Sequence, residues 1–202
     1  MECQPSVPPM PESDLAVVER VILSRRTVKS FTGVAIDRAT IERLLTLALW
    51  APTHRLHQPW RFAVLDQAAI ARLATFLRNE PAIAAWPDPA KAQAKLGKLL
   101  DRLPQAGALI QVTWVRDADL AIDLEDHAAA SAAVEHILLG AQASGLAGYW
   151  ATTAALAHPA TLRWCGVDPA REAHLGCLWL GGAAETPVTP PRRPLDQVAR
   201  FL

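Results

Sequence analysis

The sequence predicts an α+β domain in which helices pack around a small mixed sheet. Several segments repeat apolar residues at helical spacing, and they outnumber three short apolar runs that have the character of strands. The 202 residues are 51% hydrophobic, with neither an internal repeat nor an interdomain linker. We therefore expect one domain over residues 14–202, preceded by a proline-rich, extended or disordered arm over residues 1–13.

The predicted helices are placed by their caps and by their apolar spacing. The first has Ser13 or Asp14 as its N-cap and continues past Ile22 towards a basic segment. The second begins near Asp37, a favourable N-cap, and is stopped by Pro52. Further helices are predicted over residues 68–78, 90–103, 123–144 and 159–165, and the long alanine-rich one is closed by Gly145 and Gly148.

The three predicted strands are short apolar runs bounded by breakers. They are RFAVL at 61–65, ALIQVTWV at 108–115 and HLGCLWLGG at 174–182. The proline-rich tail over residues 186–202 is expected to be extended at first and then to form one helical turn.

Charge and cysteine content exclude several classes of protein. A formal net charge of 0 and a pI near 7.0 provide no field that would attract nucleic acid or an anionic membrane. Cys3, Cys165 and Cys177 form neither zinc spacing nor a disulfide framework, which is typical of reduced cytosolic thiols. No secretory leader or membrane-spanning apolar stretch is visible. We therefore expect a soluble cytoplasmic protein without membrane or nucleic-acid partners.

A basic segment, SRRTVKSF, follows the first predicted helix. Arg25, Arg26, Thr27 and Lys29 supply cations and a hydroxyl, and guanidinium groups match phosphate oxygens. If the helix continued, Arg25 and Lys29 would share one face. Two interpretations stay open for this segment taken alone: an anion site, or a solvated basic helix end that complements the helix dipole.

The connector APTHRLHQPWRF, residues 51–62, carries His54 and His57. A metal site is disfavoured because no cysteine or carboxylate lies close in sequence to complete the ligands. The remaining interpretations are contacts to a planar ligand and ordinary loop histidines. We expect no metal site.

Two further stretches allow a binding role or a structural one. Residues 143–155 contain glycines and aromatic residues that suit either a close approach to a ligand or a helix cap followed by a buried turn. Arg192 and Arg193 lie in a rigid proline-rich segment and provide either a second phosphate contact or tail solubility. Catalytic triads, P-loops and HExxH motifs are missing from the sequence, so no side chain is predicted as a catalytic residue.

Taken together and in order, these stretches resemble the nitroreductase family of flavin enzymes. The resemblance is carried by RRTVKSF (25–31), by AP and QPWRF within residues 51–62, by GLAGYW (145–150) and by LGCLWLGGAAETP (175–187). It spans about residues 15–202, and the chain is most similar to the family's compact branch.

The resemblance implies a three-layer fold with a mixed, mainly antiparallel sheet. It also implies an obligate homodimer whose C-terminal tails are swapped onto the partner, with two FMN sites at the interface. The implied activity is a ping-pong transfer of hydride from NADH or NADPH through flavin N5 to a small-molecule acceptor such as a nitroaromatic or a quinone. The cofactor performs this chemistry, which agrees with the missing catalytic motifs.

The resemblance also implies roles for individual residues. Lys29 would face the pyrimidine edge of the flavin, and Trp50 would lie near the partner's cofactor. Ala151 stands where the compact branch has an arginine, so Arg192 or Arg193 would replace that charge. The implied cofactor-binding residues are Arg25, Arg26, Thr27, Lys29, Trp50, His54, Trp150, Ala151, Thr152 and Arg192.

An alternative follows from two departures from the family pattern. Leu56 occupies a position where many members have an asparagine that meets the flavin, and Ala151 lacks the arginine charge. On this alternative the protein binds flavin but is not reduced by NAD(P)H.

Overall fold

A computed structural model of the chain describes residues 13–85 and 89–202. The predicted arm, apart from Ser13, lies outside the described residues. The helices in these ranges are α1 (Asp14–Ser24), α2 (Arg38–Ala48), α3 (Gln67–Asn79), α4 (Pro81–Ala85), α5 (Pro89–Arg102), α6 (Leu120–Ala143), α7 (Ala154–Ala157) and α8 (Pro159–Trp164). The strands are β1 (Trp60–Leu65), β2 (Ala108–Val115), β3 (Ala147–Ala151) and β4 (Glu172–Gly181). Single 3-10 turns cover His54–Leu56, Leu103–Gln105 and Leu195–Gln197.

The four strands form one sheet in the order β1-β2-β4-β3, and every neighbouring pair is antiparallel. A parallel contact is provided by an isolated bridge between Thr27 and Gly148 at the β3 edge. The α+β prediction and its mainly antiparallel sheet are therefore confirmed.

The two faces of the sheet carry separate hydrophobic clusters, because successive side chains of a strand point to opposite faces. Leu109 and Trp179 belong to the cluster that includes residues of α3 and α5. Ile110 and Leu178 belong to the cluster that includes residues of α2 and α6. Helices therefore cover both faces, and the three-layer arrangement is confirmed.

The predicted N-caps of the first two helices are confirmed. The Ser13 side chain accepts a hydrogen bond from the Ala16 N–H at 3.2 Å, and Asp37 accepts one from the Thr40 N–H at 2.8 Å. None of the helices within residues 13–85 and 89–202 is long and apolar enough to span a membrane.

The prediction missed strand β3 and placed the start of α6 three residues too late. Gly145, at φ +74, ends the helix as expected, but Gly148 lies within β3 instead of in a turn. A Cβ at Gly148 would stand 2.8 Å from Leu180 Cδ2 and 3.0 Å from the Trp179 carbonyl oxygen. This strand therefore needs a glycine where propensity disfavours one, which is why sequence pattern alone overlooks it.

Two carboxylates near the start of α6, those of Asp123 and Asp126, are buried. Asp123 Oδ1 accepts hydrogen bonds from Arg116 Nε at 2.7 Å, Trp114 Nε1 at 3.1 Å and the Asp117 N–H at 3.2 Å. The Arg116 guanidinium, more than any other group, holds the pKa of Asp123 below its usual value.

We expect Asp123→Asn to lower the free energy of unfolding at pH 7, because it removes the charge that pairs with Arg116. The loss should be only about 1 kcal/mol, because Arg116 is half exposed and water screens the pair. A carboxyl whose pKa is lowered on folding stabilises above its unfolded pKa of about 3.9, and this contribution disappears as pH falls through the folded value. Urea unfolding from pH 7 to pH 2 should therefore show the two proteins converging in acid. The exposed Asp101→Asn is the control, and a gap between wild type and Asp123→Asn that stays constant with pH would contradict this assignment.

Helix α1 and the C-terminal tail leave many apolar side chains uncovered. No residue of α1 is buried, and its Val18 and Ile22 are about half exposed. In the tail, Leu195 and Val198 are each 65% exposed, and Phe201 is 91% exposed. These surfaces are unusual for a chain whose core is otherwise well covered.

Candidate functional site

A basic groove of about 180 Å³ lies where the segment after α1 meets the C-terminal tail. Its lining residues are Arg25, Arg26, Thr27, Val188, Pro190 and Arg192. The structure thus brings together the predicted phosphate-binding residues from the two ends of the chain. Three guanidinium groups and a hydroxyl around one small groove suit a phosphate monoester.

The geometry of Arg25 follows from the end of α1. The helix stops at Ser24, and Arg25 leaves it with an extended ψ of 131°. The Arg25 Nε lies 3.4 Å from Glu135 Oε1 of α6, and Gln142 Nε2 of the same helix donates to Ser24 Oγ at 3.1 Å. The first helix does not continue into the basic segment, so Arg25 and Lys29 do not share a helical face.

Arg26 joins the tail to the body of the protein. Its Nη2 donates to Thr189 Oγ1 at 3.0 Å, and its Nη1 donates to the Leu23 carbonyl oxygen at 2.6 Å and the Arg25 carbonyl oxygen at 2.7 Å. The guanidinium of Arg26 therefore orders the groove wall while Arg25 and Arg192 line the same space.

Strand β3, which lies in the glycine-containing stretch 143–155, runs directly beside this groove. Thr27 bridges Gly148 of β3, and the Val28 N–H donates to the Gly148 carbonyl oxygen at 3.4 Å. The exposed Lys29 therefore follows the groove on the side where β3 ends in Trp150 and Ala151, with Thr152 directly after the strand.

Arg102, at the end of α5, is a residue of this region that the sequence did not indicate. It donates from Nη2 to the Tyr149 hydroxyl and, at 3.4 Å, to the Lys29 carbonyl oxygen. Its Cζ lies 5.5 Å from the centroid of the Tyr149 ring and 5.2 Å from that of Trp179. Burial raises the pKa of Tyr149, and Arg102 opposes that shift. Arg102 thus fixes the backbone of Lys29 against the aromatic core.

Trp150 is held by a glycine on the neighbouring strand. Its Nε1 donates to the Leu175 carbonyl oxygen at 3.0 Å, and its ring occupies the space that a Cβ at Gly176 would need. Trp150 as a whole is 39% exposed.

We expect Gly176→Ala to destabilise the protein by about 2 kcal/mol and to displace the Trp150 indole, because the new methyl group overfills this contact. Thermal unfolding and tryptophan fluorescence measure the two effects. Gly97→Ala in α5 is the matched control, since nothing lies within 4 Å of the added Cβ. Wild-type stability in Gly176→Ala would show that the contact relaxes freely.

The loop between α2 and β1 forms a separate group of candidate residues. His54 Nδ1 lies 3.4 Å from Glu125 Oε2, and His57 Nδ1 lies 3.3 Å from Asp126 Oδ1. Trp50, just before the loop, is 81% exposed. Among the residues that the structure describes, no cluster of three or more His, Cys, Asp or Glu side chains is arranged to hold a metal ion.

Helix α6 connects the two groups of candidate residues. Glu125 contacts the histidine loop and Glu135 contacts Arg25, so ten residues of helix, or about 15 Å, separate the two contacts. Sequence reasoning missed both glutamates as neighbours of the site, because partners this far apart in the chain leave no local signal. The predicted residues thus lie in two places on one chain: the basic groove with β3, and the loop with Trp50.

The sequence is similar to those of known nitroreductases. The family model described as Nitroreductase family matches residues 22–182. YfhC of Bacillus subtilis (strain 168), provisionally named an NAD(P)H nitroreductase, is 25% identical over 135 residues, which cover 67% of this chain and 69% of that protein.

Two solved structures are similar over most of the chain. A nitroreductase-like family protein from Bacillus cereus has a TM-score of 0.80 at 24% identity, with 92% of this chain and 95% of that chain covered. A provisionally named nitroreductase from Desulfovibrio desulfuricans, solved in complex with FMN, has a TM-score of 0.70 at 26% identity, with 92% and 96% covered. The fold is therefore the one shared by these proteins.

Proposed function

Because this chain belongs to the nitroreductase family of oxidoreductases, we propose that it is an FMN-dependent NAD(P)H oxidoreductase acting on a nitroaromatic, a quinone or a similar acceptor. The observation that carries the proposal is the basic groove of Arg25, Arg26, Thr27 and Arg192 beside the end of β3. The FMN-bound relative and the name of the Bacillus subtilis protein support the choice of flavin and nicotinamide nucleotide.

The residues of the groove fit the phosphate end of FMN. The groove volume of about 180 Å³ and its arginine side chains match a phosphate dianion better than a neutral ligand. Arg25 and Arg192 supply the charge, and the Thr27 hydroxyl supplies a neutral donor. Arg192 thereby takes over the cation that Ala151 does not provide.

Lys29 is the residue proposed to meet the pyrimidine edge of the ring. When bound, FMN supplies the two-electron chemistry, taking hydride from NAD(P)H and giving it to the acceptor. A fixed ammonium near the ring stabilises the negative charge of the reduced cofactor, and Arg102 holds the Lys29 backbone in place. Trp150 and Thr152 would lie beside the ring and limit the access of water.

We further propose that two chains form a homodimer with exchanged C-terminal tails. The support is the uncovered apolar surface of α1 together with the exposed tail side chains Leu195, Val198 and Phe201. The dimer would bring Trp50 and His54 of one chain to the cofactor held by the basic groove of the other. This accounts for the separation of the two residue groups within one chain.

An absorption spectrum of the purified protein tests the proposal. Flavin bands should be present after purification or after addition of FMN, and anaerobic NADH or NADPH should bleach them. Protein that retains no flavin colour after incubation with FMN and removal of the unbound cofactor would overturn the proposal. Bound flavin that stays oxidised under excess of both nucleotides would instead favour a flavin-binding protein without turnover. The exposed Leu56, which departs from the family pattern, is the reason for testing this alternative.

A further inference from the structure

The loop 53–58 is held in a conformation that its own residues disfavour. Arg55, Leu56 and Gln58 have positive φ angles of 45°, 57° and 48°, in the left-handed region that favours glycine. Each such residue costs about 1 kcal/mol or more, and the conformation persists only when its surroundings hold it.

Contacts within the loop are few. The Gln58 N–H donates to Thr53 Oγ1 at 3.1 Å, and the His57 N–H donates to the His54 carbonyl oxygen at 3.0 Å. From β1, Arg61 Nη1 donates to the Gln58 carbonyl oxygen at 3.1 Å. These bonds close the turn, but they do not attach the side chains of the loop to the rest of the protein.

The attachment is made by two adjacent carboxylates of α6. The Glu125 side chain is 53% exposed, so water screens its contact with His54. The Asp126 side chain is only 7% exposed and directs both carboxylate oxygens at His57 Nδ1, at 3.3 and 3.4 Å. A buried carboxylate depends strongly on its partner, so the His57–Asp126 pair is the stronger of the two.

We infer that Asp126 is a positioning residue, which through His57 holds the loop in its left-handed conformation and so presents His54 to the flavin. The inference rests on the proposed function, in which His54 contacts FMN. Asp126 acts at a distance from the cofactor, because its carboxylate faces His57. Glu125 faces Nδ1 of His54, which leaves Nε2 as the nitrogen available to a ligand.

Hydrogen exchange of the flavin-free full chain tests the structural half of this inference. Backbone amides of residues 53–58 should exchange about tenfold faster in Asp126→Asn than in wild type, with little change in the sheet. Asp101→Asn, an exposed carboxylate-to-amide change on α5, is the matched control. His57→Ala should reproduce the effect, and His57→Arg, which places a hydrogen-bond donor opposite Asp126 again, should largely reverse it.

His57 lies in a loop at the surface, so its variants decide the result even where Asp126→Asn fails to fold. Loop exchange in His57→Ala equal to that of Asp101→Asn would overturn the inference. That result is independent of flavin and leaves the proposed function standing.

The functional half is tested by titration with FMN. His54→Ala and Asp126→Asn should each weaken FMN binding several-fold, and the double variant should be no weaker than His54→Ala alone, because Asp126 acts through His54. Additive losses, or a loosened loop with unchanged FMN affinity, would overturn the positioning role. Wild-type protein that binds no FMN would overturn the proposed function instead, while the exchange data would still report on the His57–Asp126 contact.

Discussion

Replacing Arg25 with alanine is expected to weaken FMN binding about 100-fold, because charge-assisted hydrogen bonds to a phosphate contribute about 1.5–3 kcal/mol. Arg25 lines the groove, and its Nε edge is directed at Glu135, which leaves the terminal nitrogens for the ligand. Quenching of flavin fluorescence during titration of flavin-free protein measures the dissociation constant.

Riboflavin, which lacks the phosphate, provides the sharpest control. Arg25→Ala should bind riboflavin about as well as wild type does, since the lost contacts are to the phosphate alone. Arg78→Ala, at an exposed position of α3, should leave both affinities unchanged. Equal losses for FMN and riboflavin in Arg25→Ala would show that the arginine supports the fold of the site and does not bind phosphate.

Deleting residues 195–202 is expected to convert the proposed homodimer into a monomer, raising the dimer dissociation constant by at least about 1,000-fold. The deletion removes exposed apolar side chains, each contributing about 1.5–3 kcal/mol if buried by a partner. These side chains are Leu195, Val198, Phe201 and Leu202. Sedimentation velocity over a range of concentrations measures the change.

The deletion leaves the groove residues in place, Arg192 included, and removes no core side chain. The truncated chain should therefore still fold. Arg200→Ala, a polar change in the same tail, should leave the association constant unaltered. A truncated chain that still sediments as a dimer would contradict tail exchange and would place the interface on α1 alone.

The sequence predicts the framework of this protein well because its helices carry local signals. Asp37 as N-cap and Gly145 as the helix-ending residue are recognisable from neighbouring residues, and both are confirmed. Strand β3 is different, because Gly148 is required by contact with Trp179 and Leu180, which are distant in the chain. Tertiary packing at such positions overrides local propensity.

The candidate site likewise contains residues that the sequence indicates and residues that it does not. Arg25, Arg26 and Thr27 are visible as a basic motif, and the structure places them with Arg192 in one groove. Glu125, Asp126 and Arg102 have no such signal. Helix starts are often acidic for reasons of the helix dipole alone, so burial of Asp126 could not be anticipated from its neighbours.

The pairing of Arg26 with Thr189 joins residues 163 positions apart, and the Thr27–Gly148 bridge closes a similarly long loop. Contacts of such long sequence separation carry a large loop-closure entropy. The basic groove therefore exists only in chains whose two ends have already met. A ligand that binds there selects completely folded molecules and raises their stability by mass action. On the proposed function, the supply of FMN would therefore influence how much folded protein accumulates.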